Sequence, residues 1–426
     1  METPIHDFLK KYAESGTARL HMPGGKGLAY PHDITEINGA DVLYEPEGII
    51  RASEDNAAAL FGAGASCYSC GGATLAIQAM LAAACETAGK RTIAAGRCSH
   101  RSLIDTAVLL GLNVNWIYPD EFPCGTISPS DIESAVDGDT AAVFVTSVDY
   151  LGGQCDIPAI AEVCRRKGVL LLVDNAHGAY RIFTGDHPLK LGADMTADSA
   201  HKTLPAVTGT AYAHLADRGY RDSVKSAMAL FGSSSPSYLM LESLDLCNRY
   251  ISEERETALA AIRRVSELKT ALAEDDIPLR RSDAMRITID ANALGYTGAE
   301  YADMLRKNGV ECEMGGERYT VLLFSVVQPA ADIVRVAEAI RAVPLKEPIP
   351  PRDIPVVIPE TVVSPREAYF APGELIPITA SAGRICADIH SPCPPCVPIV
   401  MPGERITPET AEIMRRYGIT TVKAIK

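Results

Sequence analysis

Between residues 91 and 214, short apolar runs alternate with stretches of helical periodicity. The runs at 92–95, 115–118, 141–148 and 169–173 predict strands, and the segments at 101–111, 129–136 and 157–167 predict the helices between them. Two of these helices have marked starts: Ser128-Pro129 and Asp156-Ile157-Pro158 each set an N-cap side chain before a proline of the first turn. Alternation of this kind predicts βαβ units and a mostly parallel sheet flanked by helices on both faces. Ligands of such sheets sit beyond the carboxyl ends of the strands, where Asp174 and the segment 147–150 fall.

Outside that region the pattern changes. Ile5, Phe8, Leu9 and Tyr12 mark a short amphipathic helix, and the rest of the first 60 residues reads as turn-rich. Within it, His21-Met22-Pro23-Gly24-Gly25-Lys26-Gly27 predicts a loop whose backbone can approach a ligand closely. Residues 75–81 read as a buried helix, and 238–282 as long helical sequence. A smaller α/β unit follows, with strands at 285–289 and 321–327 and helices from a Thr297/Glu300 capping box to 307 and over 331–342. Pro344, Pro348, Pro350, Pro351, Pro355 and Pro359 make 344–365 an extended linker. The last stretch returns to strands, Pro-Gly turns and a helix opening at Thr407-Pro408. The division expected is an arm at 1–60, a large domain at 61–282, a small unit at 283–343, the linker, and a C-terminal α/β segment at 366–426.

A chain of 426 residues exceeds what one core supports, so more than one is expected. A formal charge of −14 argues against nucleic acid or an anionic membrane as partner and is compatible with a small cationic substrate. No apolar run approaches the ~20 residues of a membrane span. The N-terminus also lacks a signal-peptide pattern, so the cytoplasm is the expected location. The 12 cysteines are scattered, which predicts free thiols. Cys67/Cys70 and Cys393/Cys396 could together supply four zinc thiolates, but one pair abuts a Gly-rich loop and the other brackets Pro394-Pro395, so no metal is predicted.

The distinctive chemistry lies in Asp198-Ser199-Ala200-His201-Lys202-Thr203-Leu204-Pro205. It presents one lysine between hydroxyl and imidazole side chains. Lys202 can link covalently to an aldehyde cofactor, while Ser199, His201 and local backbone N–H groups can hold a phosphate. Asp174 closes an apolar run 202 − 174 = 28 residues earlier and offers a carboxylate for a pyridine nitrogen. The pair points to pyridoxal 5'-phosphate (PLP). Gly71-Gly72-Ala73-Thr74 opens a helix, whose N-terminus offers N–H groups and a positive dipole end to the phosphate. His100, at a strand-to-helix junction, either caps the helix or stacks on the cofactor ring. Glu36, Asp41, Glu45 and Glu47 are either solvated loop carboxylates or include one that meets a basic substrate.

With these motifs in order, nearly the whole chain resembles the ornithine/lysine/arginine decarboxylases of PLP fold type I, in their shorter bacterial form. The resemblance runs through His21–Lys26, Asp33-Ile34-Thr35-Glu36, the Gly71–Thr74 loop, Cys98-Ser99-His100-Arg101-Ser102, Asp174-Asn175-Ala176-His177-Gly178, Ser199-Ala200-His201-Lys202, Ser235-Pro236-Ser237-Tyr238 and Ser364-Pro365-Arg366-Glu367-Ala368. It implies an α/β PLP-transferase fold with smaller α/β C-terminal domains. Lys202 would carry the cofactor, Asp174 would pair with the pyridinium, His100 and Ala176 would flank the ring, and His177 would lie nearby. Ala73, Thr74, Ser199 and His201 would hold the phosphate. Ser233 or Ser234 would reach the phosphate of a neighbouring subunit, so a homodimer or higher homo-oligomer is implied. The activity implied is decarboxylation of arginine, lysine or ornithine, a step of polyamine biosynthesis.

The chain departs from the family pattern at Gly25, Ala73, Cys98-Ser99 and Asn175, where the family carries His, Ser or Thr, Asn-Cys and Glu. Two other readings follow from the same residues. One is an aminotransferase or lyase on this scaffold; an aminotransferase needs an arginine to grip the α-carboxylate, for which Arg286 and Arg384 are candidates. The other is a catalytically idle relative that binds a partner.

Overall fold

The computed structural model describes all residues except 26–29, 120, 122–123, 353 and 390–397. Lys26 of the His-Met-Pro loop and the Cys393/Cys396 pair therefore lie outside the described residues. In chain order the elements begin with helices α1 (Pro4–Glu14) and α2 (Ile49–Phe61), strand β1 (Ala65–Ser69) and helix α3 (Gly72–Ala88). There follow β2 (Thr92–Gly96), α4 (Arg101–Leu110), β3 (Asn113–Ile117), α5 (Pro129–Ala135), β4 (Thr140–Thr146), α6 (Ile157–Lys167) and β5 (Leu170–Asp174). Then come α7 (Arg181–Thr184), β6 (Met195–Ser199), α8 (Ala200–Thr203), β7 (Ala211–Leu215), α9 (Arg221–Phe231), α10 (Tyr238–Glu253) and α11 (Arg255–Glu274). The remainder is β8 (Leu279–Arg280), β9 (Arg286–Asp290), α12 (Gly298–Lys307), β10 (Met314–Gly315), β11 (Tyr319–Leu323), α13 (Ala330–Arg341), α14 (Pro365–Phe370), β12 (Gly373–Pro377), α15 (Pro408–Arg416) and β13 (Thr421–Ile425).

Two compact units are formed. The first comprises Met1–Ala88, Leu170–Ala261 and Ser325–Val327. Its strands run in the order β1-β7-β6-β5, with β5 and β6 parallel and β7 antiparallel to both neighbours. The alternation of sequence predicts a mostly parallel sheet, and β7 is the exception for a chain-length reason. Parallel pairing needs a crossover of a dozen or more residues, whereas only residues 200–210 join β6 to β7, so the chain must turn back. Strands β1, β6 and β7 are buried at every position, and β5 at all but its first. Helix α3, rich in Ala and Leu, is buried over most of its length, as 75–81 predicts.

Helix α2 falls in the stretch read as turns. Its local start is Gly48, which carries no capping side chain. The cap comes instead from Asp41, whose Oδ2 accepts the N–H groups of Gly48 (2.9 Å), Ile50 (2.9 Å) and Arg51 (3.2 Å). Its Oδ1 takes those of Val42 (2.9 Å) and Glu47 (3.0 Å). Burial pushes this carboxyl upward, but the backbone donors outweigh it and hold it below the usual range. Of the four loop carboxylates, Asp41 thus serves the fold, because it satisfies orphan donors of a helix that starts several residues on.

The second unit comprises Gly89–Val169, Ile262–Phe324 and Gln328–Lys426. Here β2 lies between β4 and β3, parallel to each, as the alternation predicts. The antiparallel sheet β10-β11-β9-β8 carries α12, whose Thr297/Glu300 capping box is present with both reciprocal bonds. β12 and β13 form an antiparallel pair in the C-terminal segment, with α15 in the connection between them. That segment is tied to the end of β2 by Arg97, whose two guanidinium nitrogens bind Glu404 at 2.6 and 2.8 Å, with the pair almost fully buried. No disulfide joins any of the described cysteines.

Candidate active site

The site in the first unit grows from the carboxyl ends of β5 and β6. Their parallel register sets Asp174 beside Ala197, and the chain continues the pairing by one bond, from Asn175 N–H to the Ala197 carbonyl (3.0 Å). A tight turn then closes with Gly178 N–H on the Asn175 carbonyl (2.8 Å). A Cβ on Gly178 would stand 2.1 Å from Asn175 Oδ1, so only glycine lets the turn approach this closely. The turn presents His177 toward Lys202: Nε2 and Nζ are 2.7 Å apart. Lys202 itself rides on α8, which starts where β6 ends at Ser199.

Asp174 is buried, and its Oδ1 accepts the Ala176 N–H at 3.1 Å. Burial raises its carboxyl above the ordinary value; the Ala176 hydrogen bond and the charge of Lys202 oppose this, and Asp198 adds to it. A carboxylate kept in so dry a place favours a cation against it. His201 donates from Nδ1 to the Thr210 carbonyl at 2.9 Å, which fixes the ring's tautomer and orientation. Ser199 is buried at the strand end and makes no cap bond to α8.

At the start of α3, Ser69 Oγ accepts the Gly71 N–H (3.1 Å) and donates to the Gly72 carbonyl (2.8 Å), while Gly72 N–H goes to the Gly209 carbonyl (2.7 Å). Gly72 has φ +65°, and no atom lies within 4 Å of the place its Cβ would take. The opening of a long helix is therefore shaped by a left-handed glycine with room beside it, followed by buried Ala73 and exposed Thr74.

His100 belongs to the second unit. It is the N-cap of α4, where Nδ1 accepts the Ser102 N–H at 3.2 Å. The capping alternative is realised, and it holds the ring's orientation. Ser233 and Ser234 are exposed after α9, with Tyr44 donating to the Ser233 carbonyl at 3.0 Å.

Asp198, which residue type alone leaves without a role in the lysine motif, anchors a buried network. Its carboxylate takes Thr196 Oγ1 (2.7 Å) and His187 Nε2 (3.0 Å), and Asn175 Nδ2 donates to it as well. Burial alone would raise this acid, yet the charges of His187 and His214 and the hydrogen bonds of His187 and Thr196 hold it below the usual range. His214 stacks on Phe61 at 3.9 Å, and burial takes its imidazole down to about 3. The departure at Asn175 is thus a packed amide serving Asp198. The sequence signal for this acid was its spacing from Thr196, two residues away and so on the same face of a strand.

The lowered carboxyl makes a stability prediction. A depressed acid contributes stability above its unfolded value, and the contribution is lost as pH falls through the folded one. Asp198→Asn is expected to cost about 3 kcal/mol at neutral pH, the low end for removing one partner of a buried pair. The cost should shrink once the pH drops below the ordinary carboxylate range. Chemical denaturation at a series of pH values measures both.

Asp174, His177 and Lys202, grouped at the ends of parallel strands beside a glycine-shaped helix start, suit the donor set that PLP needs. The fold is the PLP-transferase fold, type I, and this grouping lies at the strand ends where such a sheet places its ligand. A family model described as Orn/Lys/Arg decarboxylase, major domain, matches residues 3–291, and one described as Orn/Lys/Arg decarboxylase, C-terminal domain, matches 351–420. The chain belongs to the Orn/Lys/Arg decarboxylase family.

Among relatives, it is 29% identical to the protein YaaO of Bacillus subtilis, over 98% of this chain and 94% of that one. It is 28% identical to an arginine decarboxylase of the same organism, over 96% and 92% respectively. Among solved structures, the lysine decarboxylase LdcF of Francisella novicida superposes with a TM-score of 0.80 at 17% identity, covering 100% of this chain and 81% of that one. That last likeness is one of fold.

Proposed function

We propose that this protein is a PLP-dependent decarboxylase of a basic amino acid, releasing CO₂ and the corresponding amine, with arginine the first of arginine, lysine and ornithine. The observation that carries the reading is the 2.7 Å pairing of Lys202 with His177 beside buried Asp174. When bound, PLP supplies an electron sink for the pair left on Cα as CO₂ departs.

The chain's own residues do the rest. Asp174 keeps a negative charge where burial makes it count and so holds the proton on the ring nitrogen. His177 Nε2 holds the Lys202 amine and can take or return its proton, which lets Lys202 protonate Cα before the amine leaves. Ala73, Thr74, Ser199 and His201 are assigned to the phosphate, and His100 and Ala176 to the faces of the ring. Ser234 is assigned to the phosphate of a second copy in a homodimer. The arginine preference rests on the named relative, and the cytoplasmic location on the family. No helix among the described residues is long and apolar enough to cross a membrane.

The transferase alternative needs an arginine for the α-carboxylate. Arg384 is engaged by Glu374 (2.8 Å) and the Ile425 carbonyl (2.7 Å). Arg286 is buried, donating to the Asp149 carbonyl. Both engagements favour the decarboxylase. The assay is direct: the PLP-loaded protein is given arginine, lysine and ornithine in turn, and CO₂ and amine are measured. Turnover is expected to be fastest on arginine. No CO₂ from any of the three removes this function and leaves the fold, and release of a keto acid instead would mark a transferase.

A further inference from the structure

A second donor cluster lies in the first unit, apart from the lysine motif. His6 on α1, His32 in the turn after the N-terminal loop, and Glu242 on α10 bring two imidazole nitrogens and a carboxylate oxygen within 4.8 Å of one another. His6 Nδ1 is 2.6 Å from Glu242 Oε1, and His32 Nδ1 is 2.8 and 3.0 Å from Oε1 and Oε2. The two rings meet edge to face, 6.2 Å between centroids, so both can point a nitrogen at one spot.

We propose that His6, His32 and Glu242 bind a divalent transition metal, Zn²⁺ by preference, which clamps the N-terminal arm to α10. Two histidines and one carboxylate form a recurrent zinc donor set, with a fourth position for water. Zinc bonds of about 2.0–2.2 Å at tetrahedral angles set ligand atoms roughly 3.3–3.6 Å apart, so each imidazole–carboxylate contact has to open by roughly 0.5–1 Å, within reach of side-chain rotations. The side chains are 25%, 23% and 12% exposed, open enough for a metal and a water to enter and covered enough to lend the ion a partly desolvated shell. On binding, each neutral ring carries its proton on Nε2 instead of Nδ1 and offers the Nδ1 lone pair. No redox change is involved, and the carboxylate offsets one of the two charges.

The surroundings set both histidines in place before any ion arrives. Asp245, one turn along α10 from Glu242, accepts the backbone N–H groups of Ile5 (2.9 Å) and His6 (3.0 Å). Arg19 binds the Pro31 carbonyl at 2.7 Å, next to His32, and Asp33 N–H closes the turn on the Tyr30 carbonyl at 3.1 Å. Backbone anchors of this kind reduce the ordering cost of a three-ligand site.

The test uses the full chain loaded with PLP, stripped of metals with a chelator and titrated with Co²⁺. One Co²⁺ per chain is expected, giving visible ligand-field bands without the thiolate charge-transfer band that the free cysteines would produce, and Zn²⁺ should displace it. His32→Ala and Glu242→Gln are each expected to weaken Co²⁺ binding by more than the roughly 10–100-fold typical of losing an outer-shell partner. Zn²⁺ should raise the Tm of the parent protein and of neither variant. Glu242→Gln preserves shape, so it reports even if His32→Ala folds poorly. A parent chain that takes up no Co²⁺, a thiolate band, or binding that survives in both variants overturns the proposal and leaves a hydrogen-bonded tether. No readout depends on decarboxylation.

Discussion

Lys202→Ala is expected to abolish amine production, lowering turnover on the best substrate by at least about 10³-fold, within the range for losing a positioned proton-transfer group. The loss should be larger still if the covalent link and the proton transfer act as one unit, since such effects do not add. The lysine is half-buried on a four-residue helix and touches His177, so its removal disturbs little of the core. The variant is therefore expected to fold without cofactor, with a modest loss of stability at neutral pH because the Lys202 charge no longer offsets buried Asp174. Borohydride reduction followed by peptide mapping should label the Lys202 peptide in the parent protein and nothing in the variant. A label on another lysine would overturn the assignment.

Asp174→Asn should separate activity from stability. Taking one partner from a buried pair costs about 3–5 kcal/mol, which on the reaction barrier is roughly 150- to 5,000-fold in rate. The stability effect has the opposite sign. Burial raises the Asp174 carboxyl in the folded chain, so its favourable contribution is present below the unfolded value and lost as pH rises through the folded one. At neutral pH the cofactor-free protein then bears a cost for the buried acid that the Ala176 N–H and the Lys202 charge offset only in part. Asp174→Asn removes that cost, and the cofactor-free variant is expected to melt above the parent at neutral pH, with the gap closing in acid. Each kcal/mol recovered is worth about 2–4 °C in a domain of roughly 150–250 residues. With PLP bound the order should reverse, because only the parent gains a cationic partner. Melting curves with and without cofactor at two pH values decide it; equal shifts in both forms would count against the ring-nitrogen role.

The elements that sequence predicts best are those whose signals are local. Helix α6 has its Asp156 cap, and α12 its Thr297/Glu300 box, because a cap and the donors it satisfies lie within one turn. Helix α2 escaped for the converse reason: Asp41 reaches it across an irregular loop. His100 is instructive in another way, since capping and facing a ligand use different atoms of one ring, and its Nδ1 serves the cap.

Residue type and spacing were enough to announce the kind of chemistry and the frame for it. Asp174 closes an apolar run of the α/β alternation and the Ser-Ala-His-Lys motif of Lys202 follows it, a message written along the chain and readable without coordinates. Which groups meet is a matter of folding in three dimensions. That folding put His177 against Lys202, made Asp198 the hub for Asn175 and His187, turned β7 antiparallel, and gathered His6, His32 and Glu242. Those partners are brought together by turns, strand register and helix packing, and the interactions between them are short-ranged, so no local pattern in the chain encodes them.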